Sequence, residues 1–370
     1  MLERKHTSSL HDMAIQSLLV IGVLLANPSS YAGDLPKVKV TNIRRTFHNG
    51  QHNAFTDLVR YKNKFYLTFR SCPDGHMVHP TASVIILSSD DAKQWQQVHQ
   101  FNVKHRDTRD PHFLVFKERL FVYTGTWYSG EKTIPPAEYD LNKHLGYAAW
   151  TDDGTKWHSP IMLEGTFGHY IWRASTFGGK AYLCGRRKEN FEVAPRGEGR
   201  EVESLMLESG DGLIWRKRAV FQEVRGDETA FQFDSNGNVL AIGRRGGDKA
   251  QLLRSSRPYS EWQRKELDRY IGGPLIVRWG DRYVVGGRKS TNDRGPKTSM
   301  CWLVDDELHE FAELPSGGDN SYPGFIELSP TRAIISWYSS HEKNDEGKTI
   351  TAIYMADLEF EDGPAEANSL

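Results

Sequence analysis

Short segments rich in β-branched and aromatic residues recur between turn signals along most of the chain, and they predict β-strands rather than helices. The clearest case is residues 227–245, where one such segment, the turn sequence Asp-Ser-Asn-Gly and a second apolar segment follow one another. Asn-Gly is the strongest short-range signal for a β-hairpin. Because a hairpin brings its outer ends together, we expect Glu228 and Arg244 to lie side by side.

The second strand of this hairpin repeats along the chain. Four copies end on an arginine, and these arginines are Arg70, Arg186, Arg244 and Arg288. Residues 121–125 and 334–338 fill the two gaps without an arginine. Six units follow one another at roughly 45 to 60 residues, a period typical of solenoids, propellers and arrays.

A second repeat lies further along each unit. Residues 89–95, 151–157 and 209–215 share a Ser or Thr, an Asp two positions later and a Trp four positions after that. Such a sequence predicts a tight turn between the third and fourth strands, in which the polar side chains bond to backbone N–H groups. Four strands in each of six units predict an all-β fold, a six-bladed β-propeller of four-stranded antiparallel blades.

The two ends of the repeat region complete this prediction. Residues 37–47 and 349–360 both have strand character, and we expect them to pair, because this closes the ring and removes an exposed edge. No composition break divides the chain between them. The sequence therefore predicts one propeller domain over residues 33–370, with its core at 37–360.

Composition and the N-terminal residues limit the location and the partners. Residues 1–32 have a basic start, a short apolar run and a small-residue cleavage site at Ala32, which predicts a signal peptide and a secreted or periplasmic protein. The net charge of −1 gives no basic field for nucleic acid and no stripe for membrane binding. Three widely spaced cysteines fit neither a metal site nor a disulfide framework. A monomer is expected.

Strand alternation places the starts of first strands and the ends of second strands on one face, together with the longest loops. Loops on a rigid scaffold are where binding groups are usually found. The face collects candidates from the strand starts and from the strand ends, namely His52, Asp110, Trp172, Arg173, Asp227, Glu228, Tyr322, Arg70, Arg186, Arg244, Arg288 and Tyr338.

These motifs resemble the sialidase (neuraminidase) superfamily of Asp-box, or BNR-repeat, propellers. The chain is most similar to an uncharacterised bacterial branch of it, through His-Asn-Ala-Phe-Thr-Asp-Leu at 52–58, Arg-Asp-Pro at 109–111 and Pro-Ser-Gly-Gly-Asp-Asn-Ser-Tyr-Pro-Gly at 315–324. The resemblance covers roughly residues 37–360. It implies an exo-glycosidase that acts on an acidic sugar at the non-reducing end of an oligo- or polysaccharide.

The resemblance also implies roles for individual residues. Tyr322 corresponds to the nucleophile and Glu228 to the carboxylate that activates it, whereas Arg244 and Arg288 correspond to arginines that grip the substrate carboxylate. Asp74, with His76 close by, is the nearest match to the acid/base aspartate. His52 is a further catalytic candidate, and the substrate-binding candidates are Arg70, Arg186, Arg244, Arg288, Arg173, Asp110, Asp227 and Trp172.

The chain departs from the family at the start of blade one. Sialidases have an Arg-Ile-Pro motif there, and this chain has His52 followed by Asn53 and Ala54. Arg70, one hairpin away, is a possible substitute for the missing arginine. The departure leaves the identity of the sugar open while an anionic sugar stays the expectation.

Other interpretations of the same residues remain open. The rim arginines would alternatively form salt bridges between blades. A uronate lyase would use Arg244 or Arg288 to neutralise a carboxylate while His52 or Tyr322 abstracts a proton, and a glycan-binding propeller would have no catalytic group. The remaining histidines show no ligand spacing, so the sequence predicts no metal site and no cofactor.

Overall fold

The computed structural model describes residues 35–191 and 202–361. Within these ranges the chain forms 24 strands in six four-stranded antiparallel sheets, arranged as a six-bladed β-propeller. The fold prediction is therefore confirmed. The predicted signal peptide at residues 1–32 lies outside the described residues. None of the described helices is long and apolar enough to cross a membrane.

Each blade takes four strands, numbered β1 to β24 in chain order. Blade one comprises β2 (His52–Tyr61), β3 (Lys64–Cys72), β4 (Ser83–Ser89) and β5 (Gln96–Phe101). Blade two comprises β6 (Arg106–Phe116), β7 (Arg119–Tyr128), β8 (Leu145–Thr151) and β9 (Trp157–Met162). Blade three comprises β10 (Tyr170–Phe177), β11 (Lys180–Lys188), β12 (Val202–Ser209) and β13 (Arg216–Gln222). Blade four comprises β14 (Thr229–Phe233), β15 (Val239–Arg245), β16 (Asp248–Ser255) and β17 (Gln263–Glu266). Blade five comprises β18 (Gly272–Trp279), β19 (Arg282–Lys289), β20 (Lys297–Val304) and β21 (Glu307–Leu314). Blade six comprises β22 (Asn320–Ser329), β23 (Arg332–Lys343), β24 (Thr349–Phe360) and β1 (Val38–Phe47). Short 3₁₀ helices lie at Pro136–Glu138, Leu141–Lys143 and Glu189–Phe191.

The last blade is built from both ends of the described chain. Strand β1 pairs antiparallel with β24, with Val38 opposite Phe360 and Phe47 opposite Ile353. This is the closure expected from the sequence, and it covers the edge that β24 would otherwise expose. The first strands of the six blades also contact one another in a closed cycle, in the order β2, β6, β10, β14, β18, β22 and back to β2.

The turns between third and fourth strands have the hydrogen bonds that the sequence predicts. In the second blade, Oδ1 of Asp153 accepts the N–H groups of Thr155 and Lys156 at 2.7 and 2.8 Å. Gly154 has a φ of 82° and its carbonyl accepts the Tyr66 hydroxyl of the preceding blade at 3.2 Å. A Cβ at Gly154 would lie 2.2 Å from that hydroxyl, so glycine is needed for this link between blades.

The same link recurs one blade further on, where the Tyr123 hydroxyl donates to the Gly212 carbonyl at 2.9 Å. Trp215 of this turn packs edge-on against the Tyr123 ring, with 5.6 Å between ring centroids. Buried side chains from neighbouring sheets meet between the blades, so the apolar core is distributed around the ring rather than concentrated at one point. Cys72, Cys184 and Cys301 are buried and unpaired.

Five of the six described first strands contain a β-bulge at the same level, where two residues oppose one on the second strand. The first residue of each bulge is Phe55, Asp110, Trp172, Gly273 or Tyr322. The second residue of the bulge is a proline in three of them, at Pro111, Pro274 and Pro323, and it is Arg173 in the blade-three bulge. Proline suits a bulge because it has no N–H to give to the ladder. A bulge re-aims a side chain, and such positions are common beside active sites.

Backbone conformation marks the same positions. Phe55, Asp110 and Tyr322 have φ values of 64°, 51° and 51°, a region that residues other than glycine seldom adopt. Gly273 has a φ of 59° and a Cβ there would lie 2.5 Å from Cδ2 of Tyr322. Blade five therefore provides space for the tyrosine of blade six at the mouth of the central channel.

Candidate active site at the channel mouth

The centre of the candidate site is a contact between blades four and six. Tyr322 donates its hydroxyl proton to Oε1 of Glu228 at 2.5 Å, and both side chains are buried. The other carboxylate oxygen, Oε2, accepts Nη1 of Arg244 at 2.9 Å and the backbone N–H of Gly273 at 3.1 Å. Three donors from three blades thus fix the Glu228 carboxylate.

The surroundings of this pair lower the pKa of Glu228 and raise the pKa of Tyr322. Burial raises the pKa of Glu228, but Arg244, Arg186 and the hydrogen bond from Tyr322 outweigh it, so its pKa falls below the ordinary value. Burial and the Glu228 carboxylate together raise the pKa of Tyr322 well above that of a free phenol. The resting pair is therefore a neutral phenol that donates to an ionised carboxylate.

Two arginines flank the pair on the blade-three side. Arg244 lies 3.3 Å from Oδ2 of Asp227 as well as bonding to Glu228, which confirms the expected hairpin neighbours. Arg186 pairs with Oδ1 of Asp227 and stacks on the Tyr170 ring at 5.1 Å. About a fifth of each arginine side chain remains exposed, so both present part of the guanidinium to the mouth.

Arg288 is less engaged than the other rim arginines. Its Nη1 is 3.4 Å from Oδ1 of Asp319, a long contact, and its buried Nε has no hydrogen-bond partner among the described residues. The guanidinium carbon lies 5.9 Å from the centre of the Tyr322 ring. About a fifth of the Arg288 side chain is exposed, and its terminal nitrogens make only this one long contact among the described residues, so the guanidinium retains donors for an anionic ligand.

Asp319 is the meeting point of a second cluster, on the blade-one side. Its Oδ2 lies 3.0 Å from Nε2 of His52 and 2.8 Å from Nδ1 of His76. Its Oδ1 accepts the Tyr338 hydroxyl at 2.8 Å. Burial raises the pKa of Asp319, but His52 and His76 outweigh it and hold that pKa well below its usual range, so Asp319 is an ionised acceptor.

The loop that carries His76 is held by a buried group of three charges. Asp107 accepts two bonds from Arg70, at 2.7 and 3.0 Å, and two from Arg109, at 2.7 and 2.9 Å. The same guanidinium groups also bond to three consecutive carbonyls. Arg70 reaches Gly75 and Met77 at 3.0 and 3.1 Å, and Arg109 reaches His76 and Met77 at 2.8 and 2.9 Å. Charged donors and acceptors that satisfy one another in this way fix a loop strongly.

The expected substrate contact from Arg70 is contradicted by this geometry. Arg70 is 0% exposed, and its five N–H groups are directed to Asp107, to two carbonyls and to Nδ1 of His52 at 3.4 Å. It therefore has no donor for a ligand and does not replace the arginine that the family has at the start of blade one. The alternative interpretation, a structural ion pair between blades, applies to this residue.

Arg173 and Trp172 also lie deeper than the sequence suggested. Arg173 bonds Asp57 at 2.9 Å and the carbonyls of Pro323 and Pro274 at 2.7 and 3.3 Å, so it links blades across the channel. Trp172 is buried and packs edge-on beneath Tyr322, with 6.1 Å between ring centroids. Arg173 is therefore a structural link, and Trp172 supports the tyrosine instead of offering an open stacking surface.

Asp110 interacts electrostatically with the Glu228 carboxylate but is buried away from solvent. Its Oδ2 accepts the Tyr170 hydroxyl, and its Oδ1 is buried without a partner among the described residues. Burial and the neighbouring Glu228 carboxylate raise the pKa of Asp110 to about 6. Asp110 thus belongs to the electrostatics of the site without an open path to a ligand.

No described hydrogen bond joins Asp74 to this network. Asp74 is exposed and accepts the Thr81 hydroxyl at 2.5 Å within its own loop. The sequence prediction selected it because it is the carboxylate nearest the family position. The neighbouring His76 is the residue of this loop that the structure brings to Asp319.

The sequence predicted no metal site, yet three potential ligand atoms meet at the mouth. They belong to His52, His76 and Asp319 and all lie within 4.8 Å of one another. A histidine that binds a metal through Nε2 carries its proton on Nδ1 and needs an acceptor there. Nδ1 of His52 faces a donor, Nη1 of Arg70. The hydrogen-bond set therefore fits a proton network better than a cation.

Several residues that position these groups were not among the candidates predicted from the sequence. Tyr170 and Asp107 carry no spacing signal of their own, whereas Arg109 lies inside the quoted 109–111 motif. Asp319 lies inside the quoted 315–324 motif, and that motif was the available signal for it. Tyr338, a predicted rim residue, is buried and donates its hydroxyl to Asp319.

Comparisons with known proteins support the fold. The chain is similar to a protein of unknown function from Dyadobacter fermentans, with 18% identity and a TM-score of 0.71 over 88% of this chain and 100% of that one. It is also similar to Trypanosoma rangeli sialidase, with 12% identity and a TM-score of 0.59 over 87% of this chain and 60% of that one. The chain therefore spans about 60% of the length of that sialidase.

The phage phi92 endosialidase aligns with 9% identity and a TM-score of 0.60 over 89% of this chain and 70% of that one. No protein-family model matches the sequence, and no curated protein matches it by sequence. At such identities the likeness shows the propeller fold alone, and the chemistry has to be argued from the channel mouth.

Proposed function

We propose that this protein is a sialidase-like retaining exo-glycosidase that removes a carboxylate-bearing sugar from the non-reducing end of a glycan. The observation that carries the proposal is the 2.5 Å contact between the Tyr322 hydroxyl and Glu228 beneath two arginines. The names of the structural neighbours support action on glycans, since they include a sialidase solved with sialic acid and an endosialidase.

A tyrosine nucleophile suits an anionic substrate. A carboxylate nucleophile would be repelled by the carboxylate of the sugar, whereas a neutral phenol is not. The phenol must lose its proton as it attacks, because ionising even a free tyrosine, of pKa ~10, at neutral pH costs about 4 kcal/mol, and burial raises the pKa of Tyr322 further. Glu228, which is ionised and already accepts that proton, is the base.

The arginines supply recognition of the substrate. About a fifth of each side chain is exposed in Arg288 and Arg244; Arg288 lies over the Tyr322 ring, and Arg244 bonds the Glu228 carboxylate that accepts the Tyr322 proton. Bonds from guanidinium groups to a carboxylate contribute roughly 1.5–3 kcal/mol each. Their position would hold the sugar with its anomeric carbon over the phenol oxygen.

Trapping the covalent intermediate tests the proposal. One trypanosomal sialidase structure holds a covalent intermediate formed with 2,3-difluorosialic acid, and fluorinated acidic sugars of the sialic and uronic series are the probes for this protein. We expect one of them to add its sugar mass to the protein at Tyr322, as found by intact mass and peptide mapping. The Tyr322→Phe variant should show no adduct.

Aryl glycosides of the same sugars provide the turnover measurement. The wild type should release the aryl alcohol together with a sugar product that contains one added water. An unsaturated, ultraviolet-absorbing product would instead mean elimination by a lyase. Full turnover by Tyr322→Phe would exclude the tyrosine as nucleophile, and wild type that binds the acidic glycans without any product would be a binding module.

A further inference from the structure

We infer that His76, positioned by Asp319, donates a proton to the leaving group and later accepts one from water. This inference rests on the glycosidase function proposed above and assigns the acid/base group for which the family pattern suggested Asp74. It also gives a role to the three-residue cluster of His52, His76 and Asp319.

The position of the His76 ring is the first observation. Its Nδ1 lies 2.8 Å from Oδ2 of Asp319, while 47% of its side chain is exposed at the mouth. Among the described residues, Nε2 has no hydrogen-bond partner. The ring packs against Phe55 at 5.9 Å between centroids, and Phe55 packs against Tyr322 at 4.9 Å. The imidazole is therefore one aromatic ring away from the proposed nucleophile.

Both ring nitrogens of His52, the other histidine of the cluster, have hydrogen-bond partners. Nδ1 of His52 faces the donor Nη1 of Arg70, which makes Nδ1 an acceptor and leaves the proton on Nε2 for Asp319. Burial lowers the pKa of His52, so the ring is neutral. His52 is a positioning residue for Asp319, and His76 is the histidine that retains a free nitrogen.

The loop of His76 is preorganised for such a role. Arg70 and Arg109, both clamped to Asp107, bond to the carbonyls of Gly75, His76 and Met77. Buried charges of this kind are expensive to build and hold the backbone in one conformation. An acid/base group has to be held within a fraction of an ångström of its working position, and this clamp provides that constraint.

The two carboxylates that compete for the role are poorly placed. Asp74 is turned to Thr81 in its own loop. Asp110 is buried, and the free oxygen of its carboxylate has no contact with solvent. Neither has a described contact with Phe55 or Asp319, whereas His76 contacts both.

The proton balance of the reaction closes with His76 in this role. In the first half, the Tyr322 oxygen bonds to the anomeric carbon and its proton passes to Glu228. The glycosidic bond breaks, and the leaving oxygen takes the proton from Nε2 of the His76 imidazolium. In the second half, water attacks the anomeric carbon and gives a proton to Nε2, while the tyrosine–sugar bond breaks and the phenol regains its proton from Glu228.

The experiment compares leaving groups in His76→Gln and wild type. A nitrophenyl glycoside departs without acid help, whereas a methyl or methoxyphenyl glycoside of the same sugar needs a proton. We expect kcat/KM to fall 10²- to 10⁴-fold on the poor leaving group, the usual contribution of general acid catalysis, and less than about 10-fold on the nitrophenyl glycoside. Azide should restore turnover of the nitrophenyl substrate and yield a glycosyl azide.

Two further measurements make the result decisive. The pH limb of kcat/KM that belongs to the acid should vanish in His76→Gln. The matched control is His79→Gln. His79 lies on the same loop, its ring hydrogen-bonds the Thr133 hydroxyl, and the variant should behave as wild type. Equal losses on both substrates with an unchanged pH profile would overturn the assignment, and so would activity that EDTA abolishes and Zn²⁺ restores.

Failure of this inference is distinguishable from failure of the glycosidase proposal. If Tyr322→Phe is inactive and traps no sugar while His76→Gln shows no leaving-group dependence, only the role of His76 is wrong. If Tyr322→Phe retains full turnover, the nucleophile assignment and the reaction scheme above are both overturned.

Discussion

The hydroxyl of Tyr322 lies 2.5 Å from Oε1 of Glu228, although the two residues are 94 positions apart and come from different blades. The contact depends on a bulge that turns Tyr322 inward and on a glycine, Gly273, that leaves room for its ring. It joins a proton donor and a proton acceptor under a set of arginines.

Replacing Glu228 by Gln should leave binding of the acidic sugar nearly unchanged and lower kcat by 10²- to 10⁴-fold. The amide keeps the shape of the carboxylate but does not accept the phenol proton as a base. The measurement is turnover of the aryl glycoside alongside the dissociation constant. Glu208→Gln, a buried carboxylate paired with Lys180 on blade three, is the control. An unchanged kcat in Glu228→Gln would remove Glu228 from the mechanism.

Replacing Arg288 by Lys should weaken binding of the acidic sugar by roughly 1.5–3 kcal/mol, because lysine lacks the planar fork that bonds a carboxylate twice. Stability should change little, since Arg288 has one long contact to Asp319. Neutral sugars should bind both proteins alike. Arg282→Lys, at the other end of the same strand, is the control, and calorimetry of ligand binding is the measurement. Wild-type affinity in Arg288→Lys would mean that this arginine is structural.

Replacing Asp107 by Asn should destabilise the protein by about 3–5 kcal/mol, because two buried guanidiniums would share a neutral partner. The same change should release the carbonyl clamp on the 72–78 loop and lower turnover. Asp152→Asn, which breaks the exposed pair with Arg119, should have a much smaller effect on urea unfolding. Similar unfolding midpoints for the two variants would show that the buried group contributes little.

Replacing Asp110 by Asn should make stability less dependent on pH. The pKa of Asp110 is raised from 3.8 to about 6 in the folded state, so its contribution is present below pH 3.8 and is lost as the pH rises through 6. A shift of about two units corresponds to about 3 kcal/mol. The variant should therefore gain stability over wild type between pH 4 and 7, with a constant difference above. A difference that is flat over this range would contradict the shifted carboxyl.

Much of the fold follows from local sequence. The second-strand repeat and the Asp and Trp turns recur in the chain and predict blades, because each pattern needs only neighbours a few residues away. The hairpin over 227–245 likewise predicts that Glu228 and Arg244 touch, and Nη1 of Arg244 bonds Glu228 at 2.9 Å. Pairing of the terminal strands followed from the need to close the ring.

The site depended on the tertiary structure for a different reason. Side chains alternate between the two faces of a strand, and a bulge adds one residue, so the side chains beyond it change faces. The alternation of apolar and polar residues in the sequence does not reveal where such a bulge lies. Asp319 meets His76 across 243 positions of sequence, Arg70 turns inward to Asp107, and Asp74 turns out to Thr81. The sequence determined which residue types reach the rim; ring closure and the bulges decided which of them face a ligand and which hold the scaffold.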